Sequence, residues 1–215
     1  MQNTIPIEQI SGLILAGGRG MRMGQVNKGL QIFQGEPMVS HVLRRLSPQV
    51  SQVSINVNQD TEQYSKYLCP LIPDAIPDYA GPLAGLHAGL LLCKTTYLVT
   101  APCDSPFLPV DLVNRLAQAL WETRAQLAVA VTPEEKNGHI TWQQQPVFCL
   151  VKSDLAQDLE AFLRNGGRKV SDWHAQLKVV EVRFEDTLSF RNINTRAELE
   201  QYNSSHVNLN ELKPT

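Results

Sequence analysis

The chain lacks several features that would assign it to other classes of protein. Its formal net charge is −2, from 19 Lys and Arg against 21 Asp and Glu residues, so no basic surplus is available for a nucleic-acid backbone. Its apolar runs are also short. One of the longest, Leu83 to Cys93, is interrupted by His87 and falls well below the ~20 residues that a membrane span needs. We expect binding neither to nucleic acid nor to a membrane.

Patterns for secretion, zinc binding and thiol chemistry are missing too. The opening MQNTIPIEQI has no basic n-region and no apolar h-region, so we expect no secretory signal and a cytoplasmic location. The five histidines form no H-E-x-x-H, and no C-x-x-C joins any of the four cysteines, which are Cys69, Cys93, Cys103 and Cys149. Cys103 has no basic neighbour in sequence that would lower its thiol pKa, which favours a structural role.

What the chain does contain is an alternation of strand-like and helix-like segments. Five apolar runs have the length of buried strands: residues 12–16, 53–57, 97–101, 127–131 and 147–151. Helical spacing follows Pro37 and Pro109, Ser153 could cap a helix ending near Asn165, and Thr195 with Glu198 forms a capping box for a last helix. The pattern predicts an α/β fold with a mainly parallel sheet, in one domain over residues 1–202 with a polar tail at 203–215.

The most informative segment runs from Leu13 to Leu30, where an apolar strand enters a glycine-rich basic loop. Glycines let the backbone approach a ligand, and the loop supplies four of them together with three cations: Gly17, Gly18, Gly20, Gly24, Arg19, Arg22 and Lys28. The Walker pattern is absent because no Gly-Lys pair occurs in the chain. The dinucleotide fingerprint G-x-G-x-x-G fails because its last position falls on Met23. The segment predicts a polyphosphate site of another kind.

Two further segments, between the glycine loop and the strand at residues 97–101, carry candidate ligand groups. Asn56 closes the second strand and could offer its amide to a base or ribose, although an asparagine at a strand end is often a turn residue. The segment Leu71 to Gly85 is either a plain connection or a nucleobase pocket. Its candidate residues are two carboxylates and two close-approach glycines: Asp74, Asp78, Gly81 and Gly85.

A single carboxylate, Asp104, follows the strand at residues 97–101 and lies between Pro102 and Pro106, which stiffen its backbone. Mg²⁺ is commonly held by one or two carboxylates together with substrate phosphates and water. Asp104 could also be a turn residue or a helix cap. Because phosphoryl chemistry needs both cations and a metal, the glycine loop makes the magnesium interpretation the favoured one.

Taken together, the motifs LAGGRGMRMGQVNKGL, INVN, IPDAIPDYAGPLAG, APCDSPF and NINTRAEL resemble those of the molybdenum cofactor guanylyltransferases, from about Gly12 to Leu199. The first and fourth motifs are shared with other nucleotidyltransferases, whereas DYAGPLAG and NINT narrow the choice. The resemblance implies a Rossmann-like three-layer α/β/α nucleotidyltransferase fold. It also implies an N-terminal part that binds GTP and a C-terminal part that binds the acceptor.

The resemblance further implies roles for individual residues. On the nucleotide side, Lys28 would neutralise the phosphates with help from Arg22, Asp104 would hold Mg²⁺, and a wider set would bind GTP: Leu15, Ala16, Gly17, Gly18, Asn56, Asp74 and Gly81. Asp74 is suited to base choice, because a carboxylate can accept from the N1 and N2 donors of guanine. Asn27 departs from the pattern of this family, in which an acidic residue is expected beside Lys28.

On the acceptor side, the resemblance implies contacts with molybdopterin from Gly85, Arg168, Asn192 and Asn194. Two plainer interpretations stay open. The Asn-Ile-Asn run could simply be a helix entry, and Arg168 with Lys169 could be an exposed charge pair.

The implied reaction is GMP transfer from GTP to the phosphate of the molybdenum–molybdopterin cofactor, with Mg²⁺ as the metal and pyrophosphate as the second product. We expect a monomer that makes at most transient contacts with cofactor-insertion proteins or apo-molybdoenzymes. Two alternatives remain: a related transferase, such as a cytidylyltransferase of the same cofactor or a sugar-phosphate enzyme, and a non-catalytic nucleotide-binding module.

Overall fold

The computed structural model describes residues 4–18, 27–76, 81–136 and 138–204. The strands are β1 (Ile10–Leu15), β2 (Ile32–Phe33), β3 (Glu36–Pro37), β4 (Gln52–Asn56), β5 (Leu71–Ile72), β6 (Tyr97–Pro102), β7 (Leu127–Lys136), β8 (His139–Lys152) and β9 (Val179–Arg183). The α-helices are α1 (Met38–Leu46), α2 (Thr61–Ser65), α3 (Pro82–Leu92), α4 (Leu112–Thr123), α5 (Ala156–Arg164), α6 (Val170–His174) and α7 (Arg196–Ser204). Short 3₁₀ turns are formed by Ile7–Gln9, Lys28–Leu30, Ser47–Gln49, Ser153–Leu155 and Leu188–Phe190.

Seven of these strands form one sheet in the order β5-β4-β1-β6-β8-β7-β9, while β2 and β3 pair separately. Strand β8 runs antiparallel to both of its neighbours, and the other pairings in the sheet are parallel. The mainly parallel sheet predicted from the sequence is therefore confirmed. A strand order that departs from chain order at β1 also creates a switch point, where open α/β sheets bind their ligands.

Alternation along the strands explains why helices cover both faces of the sheet. In β1, Ile10 and Ile14 pack into one core with residues of α1 and α4, whereas Leu13 packs into a second core with residues of α3 and α5. Successive side chains of a strand point to opposite faces, so a strand that is apolar throughout must be covered on both. The three-layer α/β/α arrangement is confirmed.

Among the described residues, no helix is long and apolar enough to cross a membrane.

The helix ends show where local sequence rules hold and where they fail. The predicted capping box is present, because the Thr195 N–H donates to Glu198 Oε2 over 3.0 Å and the Glu198 N–H donates to Thr195 Oγ1 over 3.1 Å. Helix α7 runs to Ser204, two residues into the predicted polar tail. The predicted cap at Ser153 is wrong, since its hydroxyl donates to the Thr96 carbonyl and α5 begins only at Ala156.

Helix α3 has no counterpart in the predicted elements. Its residues from Leu83 to Leu90 are all buried, because it lies between the sheet and α5. A helix buried on every side shows no polar face and therefore no amphipathic period. Strands β7 and β8 also extend well past their predicted apolar runs, and their outer ends are polar and exposed, which a search for buried runs does not detect.

The register places the ends of four parallel strands side by side. Leu15 of β1 lies opposite Asn56 of β4 and Pro102 of β6, and Asn56 lies opposite Ile72 of β5. The loops that follow these strands therefore emerge at one edge of the sheet.

Candidate active site

Asp104, which follows β6, and two asparagines that precede α7 form one group with Lys28. We call this group the phosphate-side cluster: Lys28, Asp104, Asn192 and Asn194. The Lys28 ammonium donates to Asp104 Oδ2 over 3.0 Å and to Asn194 Oδ1 over 2.7 Å. The residues joined by these two bonds lie as far as 166 positions apart in the chain. The structure therefore brings one predicted acceptor residue into direct contact with the predicted phosphate lysine.

The backbone around Asp104 holds this cluster in place. The Ile193 N–H donates to the Asp104 carbonyl over 2.9 Å, and the Ser105 hydroxyl donates to Asn192 Oδ1. Glu198 secures the other side, because its Oε2 accepts the Asn194 N–H over 2.8 Å. That bond stabilises the charged carboxylate and lowers the pKa of Glu198 below its ordinary value. The capping glutamate of α7 thus also positions Asn194.

The donor set at Asp104 suits a magnesium ion that takes most of its ligands from water and phosphate. The carboxylate is 9% exposed and uses Oδ2 for Lys28. Among the described residues, no group of three or more His, Cys, Asp and Glu side chains is placed to hold a metal ion. A cation that keeps several waters and is held by one carboxylate plus substrate oxygens fits this arrangement, whereas a closed protein cage does not.

A second group, which we call the base-side cluster, consists of Asn56, Asn58 and Asp74. Asn56 Nδ2 donates to Asp74 Oδ1 and Asn58 Nδ2 donates to Asp74 Oδ2, each over 2.8 Å. The Asp74 N–H donates in turn to Asn58 Oδ1 over 2.9 Å. The structure brings the predicted residues Asn56 and Asp74 together. It adds Asn58, which the sequence had marked only as the second asparagine of the INVN motif.

Two glycines are explained by their closeness to this cluster. A Cβ on Gly17 would lie 2.7 Å from Asn58 Nδ2, and one on Gly85 would lie 2.3 Å from Asn56 Oδ1. Neither position has room for a side chain. Gly85 lies within α3 and packs against the nucleotide side, so its contact with the acceptor stays a prediction. Gly81 precedes α3 with a φ of +130°, a conformation that strongly favours glycine.

The structure shows the surroundings of some of the remaining predicted site residues but not of all. The Ala16 N–H donates to the Asn56 carbonyl over 2.9 Å and the Leu15 carbonyl accepts the Cys103 N–H, so these groups extend the sheet. A Cβ on Gly18 would meet no atom of the described residues within 4 Å. Arg168 lies beyond α5 and donates to the carbonyls of Leu163 and Gly167. Arg22 and Asp78 fall outside the described residues.

Two neighbours of the lysine support its position. Asn27 donates to Asp60 over 3.2 Å and accepts from the Tyr64 hydroxyl over 2.7 Å, so it anchors the loop to α2. The carboxylate expected beside Lys28 is supplied by Asp104 instead. Cys103 is buried against Gly29, and burial raises the pKa of its thiol, in agreement with a structural role.

A switch-point edge that presents the first two glycines of the basic loop, a lysine and an aspartate indicates the nucleotidyltransferase class. Solved structures share the fold. The molybdopterin-guanine dinucleotide biosynthesis protein A of Archaeoglobus fulgidus has a TM-score of 0.71 at 24% identity and matches 90% of this chain and 96% of its own. The 4-diphosphocytidyl-2C-methyl-D-erythritol synthase of Anaerococcus prevotii has a TM-score of 0.70 at 15% identity, with coverage of 92% and 98%.

Sequence comparison narrows the class to a family. A protein-family model described as a MobA-like NTP transferase domain matches residues 12–179. The molybdenum cofactor guanylyltransferase of Ralstonia nicotianae is 56% identical over 198 residues, which are 92% of this chain and 97% of that protein. The protein of the same name from Bordetella petrii is 52% identical over 192 residues, with coverage of 89% and 96%. The chain belongs to the MobA-like NTP transferase family and is a nucleotidyltransferase.

Proposed function

We propose that this chain transfers the GMP part of GTP to the terminal phosphate of the molybdenum–molybdopterin cofactor and releases pyrophosphate. The names of the relatives support this activity. The observation that carries it is the pair of bonds made by Lys28, to Asp104 and to Asn194. A transferase must hold its donor and its acceptor at one point, and this lysine links the predicted nucleotide side with the predicted acceptor side.

The reaction is a direct displacement at the α-phosphorus of GTP. An oxygen of the acceptor phosphate forms a bond to that phosphorus, and the bond to the bridging oxygen of the β-phosphate breaks. The leaving pyrophosphate takes the electron pair. Because the acceptor is already an anion, the protein needs neither a nucleophile of its own nor a general base. Its tasks are alignment and charge neutralisation.

Among the positively charged side chains that the structure describes, Lys28 is the best placed to contact the phosphates. Its two bonds in the phosphate-side cluster hold the ammonium in one position without blocking its third proton. We assign Arg22 to the same task from the sequence pattern. Gly17 and Gly18 bring the backbone close to the triphosphate, and no atom of the described residues lies within 4 Å of where a Cβ on Gly18 would be.

We infer that Asp104 holds Mg²⁺ during the reaction. When bound, the ion supplies positive charge to the triphosphate and to the pyrophosphate that forms. Asp104 would hold the ion through Oδ1, since Oδ2 contacts Lys28 in the part of the chain that the structure describes. The backbone bond from Ile193 fixes the residue whether or not the lysine moves.

Asp74 selects the base, because a carboxylate accepts from the N1–H and N2–H of guanine, and adenine presents no such pair of donors. Asn192 and Asn194 contact the acceptor phosphate or pterin, and Arg168 contributes positive charge from the loop after α5. For Asn194 the support is its bond to Lys28, while for Arg168 it is the sequence pattern alone.

The test is pyrophosphate release with Mg²⁺ and each of the four ribonucleoside triphosphates, with and without the molybdenum–molybdopterin cofactor. We expect release to require the pterin and to be by far the fastest with GTP. Release with CTP would replace the proposal with cytidylyl transfer. Binding of GTP without release in any mixture would favour a non-catalytic module.

A further inference from the structure

Asn58 is exposed to solvent, yet its side-chain amide makes three hydrogen bonds. Two residues past β4, its Nδ2 donates both to Asp74 Oδ2, over 2.8 Å, and to the Gly17 carbonyl, over 3.2 Å. Its Oδ1 accepts the Asp74 N–H over 2.9 Å. The Asn58 amide thus connects the loop after β1 with the loop after β5. It forms hydrogen bonds with both the side chain and the backbone N–H of Asp74.

The pattern of these bonds leaves a defined part of the Asp74 carboxylate open. An ionised carboxylate has about four lone-pair sites, two on each oxygen. Asn56 occupies a site on Oδ1 and Asn58 occupies one on Oδ2. Within the part of the chain that the structure describes, one site on each oxygen remains, which is the number that the N1–H and N2–H of a single guanine require.

The side chains of Asn56 and Asn58 differ in burial and in the groups that hold them. Asn56 is buried and also donates to the Ile72 carbonyl over 3.0 Å, so it is fixed by the sheet. Asn58 is fixed by the Gly17 carbonyl and by the lack of space beside that glycine. With a hydrogen bond from only one of the two asparagines, the carboxylate of Asp74 could still turn about its own χ2. Hydrogen bonds from both asparagines fix the plane of the carboxylate.

We propose that Asn58 is a positioning residue for guanine: it holds the plane of the Asp74 carboxylate so that both oxygens can accept from the base. Asn58 itself contacts neither the base nor the reacting phosphates. The inference rests on the proposed function in one respect, which is that Asp74 reads the base.

The test compares binding of GTP with binding of inosine triphosphate, which keeps N1–H but lacks the 2-amino group. Titration calorimetry without acceptor gives both dissociation constants for the wild type, Asn58→Ala and Asn58→Asp. We expect wild type to prefer GTP and Asn58→Ala to reduce that preference about tenfold, because a misaligned carboxylate loses the second hydrogen bond. Asn58→Asp keeps the size of the side chain but faces Asp74 with a like charge, so it should lose at least as much preference.

A residue that only ties two loops together would weaken GTP and inosine triphosphate by the same factor, and that result would overturn the proposal. Equal binding of the two nucleotides by wild type would overturn it too. Asn114→Ala is the matched control, since Asn114 is exposed on α4 and should leave the ratio unchanged. Failure of the proposed function appears separately, as tight GTP binding without transfer to the pterin, and leaves the ratio in Asn58→Ala to decide this inference.

Discussion

The two clusters at the edge of the sheet differ in the chemistry of their side chains. The phosphate-side cluster is a lysine–aspartate ion pair, with side-chain exposures of 22% and 9%, and it draws on residues from 28 to 194. The base-side cluster is a carboxylate gripped by two neutral amides, all within residues 56–74. Charge neutralisation serves any nucleoside triphosphate, whereas an oriented carboxylate distinguishes bases. Damage to the first should lower rates with every nucleotide, and damage to the second should change the choice among them.

The largest effect is expected from Asp104→Ala. Loss of one electrostatic contact to a transferring phosphoryl group costs roughly 3 to 4 kcal/mol, so pyrophosphate release should fall about a hundred- to thousandfold. The loss should be similar with GTP and with any poorer nucleotide, because Asp104 does not touch the base. Steady-state rates over a range of Mg²⁺ concentrations are the measurement.

The control for this variant is Asp154→Ala, which removes an exposed carboxylate from the turn before α5. It should release pyrophosphate at the wild-type rate. Wild-type turnover in Asp104→Ala itself would refute the assignment of the metal to this residue.

The next largest effect is expected from Lys28→Ala. The substitution removes a cation from the phosphates and leaves Asp104, which is nearly buried, without its partner. Charge-assisted hydrogen bonds contribute about 1.5 to 3 kcal/mol, so we expect a loss of up to roughly a hundredfold in kcat/KM. Weaker GTP binding and a lower kcat should both contribute. Lys94→Ala, at an exposed lysine, is the control, and unchanged GTP affinity in Lys28→Ala would remove it from the phosphate site.

The phosphate-side cluster also shows how far sequence reasoning reaches. Lys28 and Asp104 could be predicted because each follows a buried strand in a motif with its own chemistry. The bond from Lys28 to Asn194 could not, because it depends on how the chain returns to the edge after α6 and β9. Local patterns identify residues that suit a ligand, but only the tertiary fold decides which of them meet.

The same limit applies to the fold and to the base-side cluster. The predicted central strands β1, β4 and β6 were confirmed because continuous apolar runs carry their own signal. Helix α3 was missed because complete burial removes the amphipathic period. Asn58 gave no local sign of its contact with Asp74, which lies 16 residues further along the chain. Two asparagines in one short motif were the available hint.

A smaller and more selective effect is expected from Asp74→Asn. An amide in place of the carboxylate points its NH₂ group at one of the two asparagine donors, and it offers only one accepting oxygen. The ratio of kcat/KM for GTP to that for ATP should fall about tenfold, whereas kcat with saturating GTP should change little. Competition between the two nucleotides measures this ratio directly. A uniform loss with both would show that Asp74 serves the fold and not the base.

The smallest effect is expected from Glu198→Ala, which tests the support of the phosphate-side cluster and not its chemistry. Glu198 accepts the N–H groups of Asn194 and Thr195, and loss of a helix cap costs about 1 kcal/mol, or roughly 2 to 4 °C in Tm for a chain of this size. Glu200→Ala removes an exposed glutamate from the same helix and controls for helix propensity.

The pH dependence of this difference in Tm tests whether the charge of Glu198 matters. The pKa of Glu198 is lowered in the folded protein, chiefly by the Asn194 N–H, so the unfolded chain takes up the proton at a higher pH than the folded one. The stabilisation is therefore complete above the ordinary pKa of a glutamate and is lost as the pH falls through the lowered value. The difference in Tm between wild type and Glu198→Ala should be present near neutral pH and should shrink in acid. A difference that does not depend on pH would mean that the alanine acts through packing alone. In that case the ionised carboxylate would not be what holds Asn194 against Lys28.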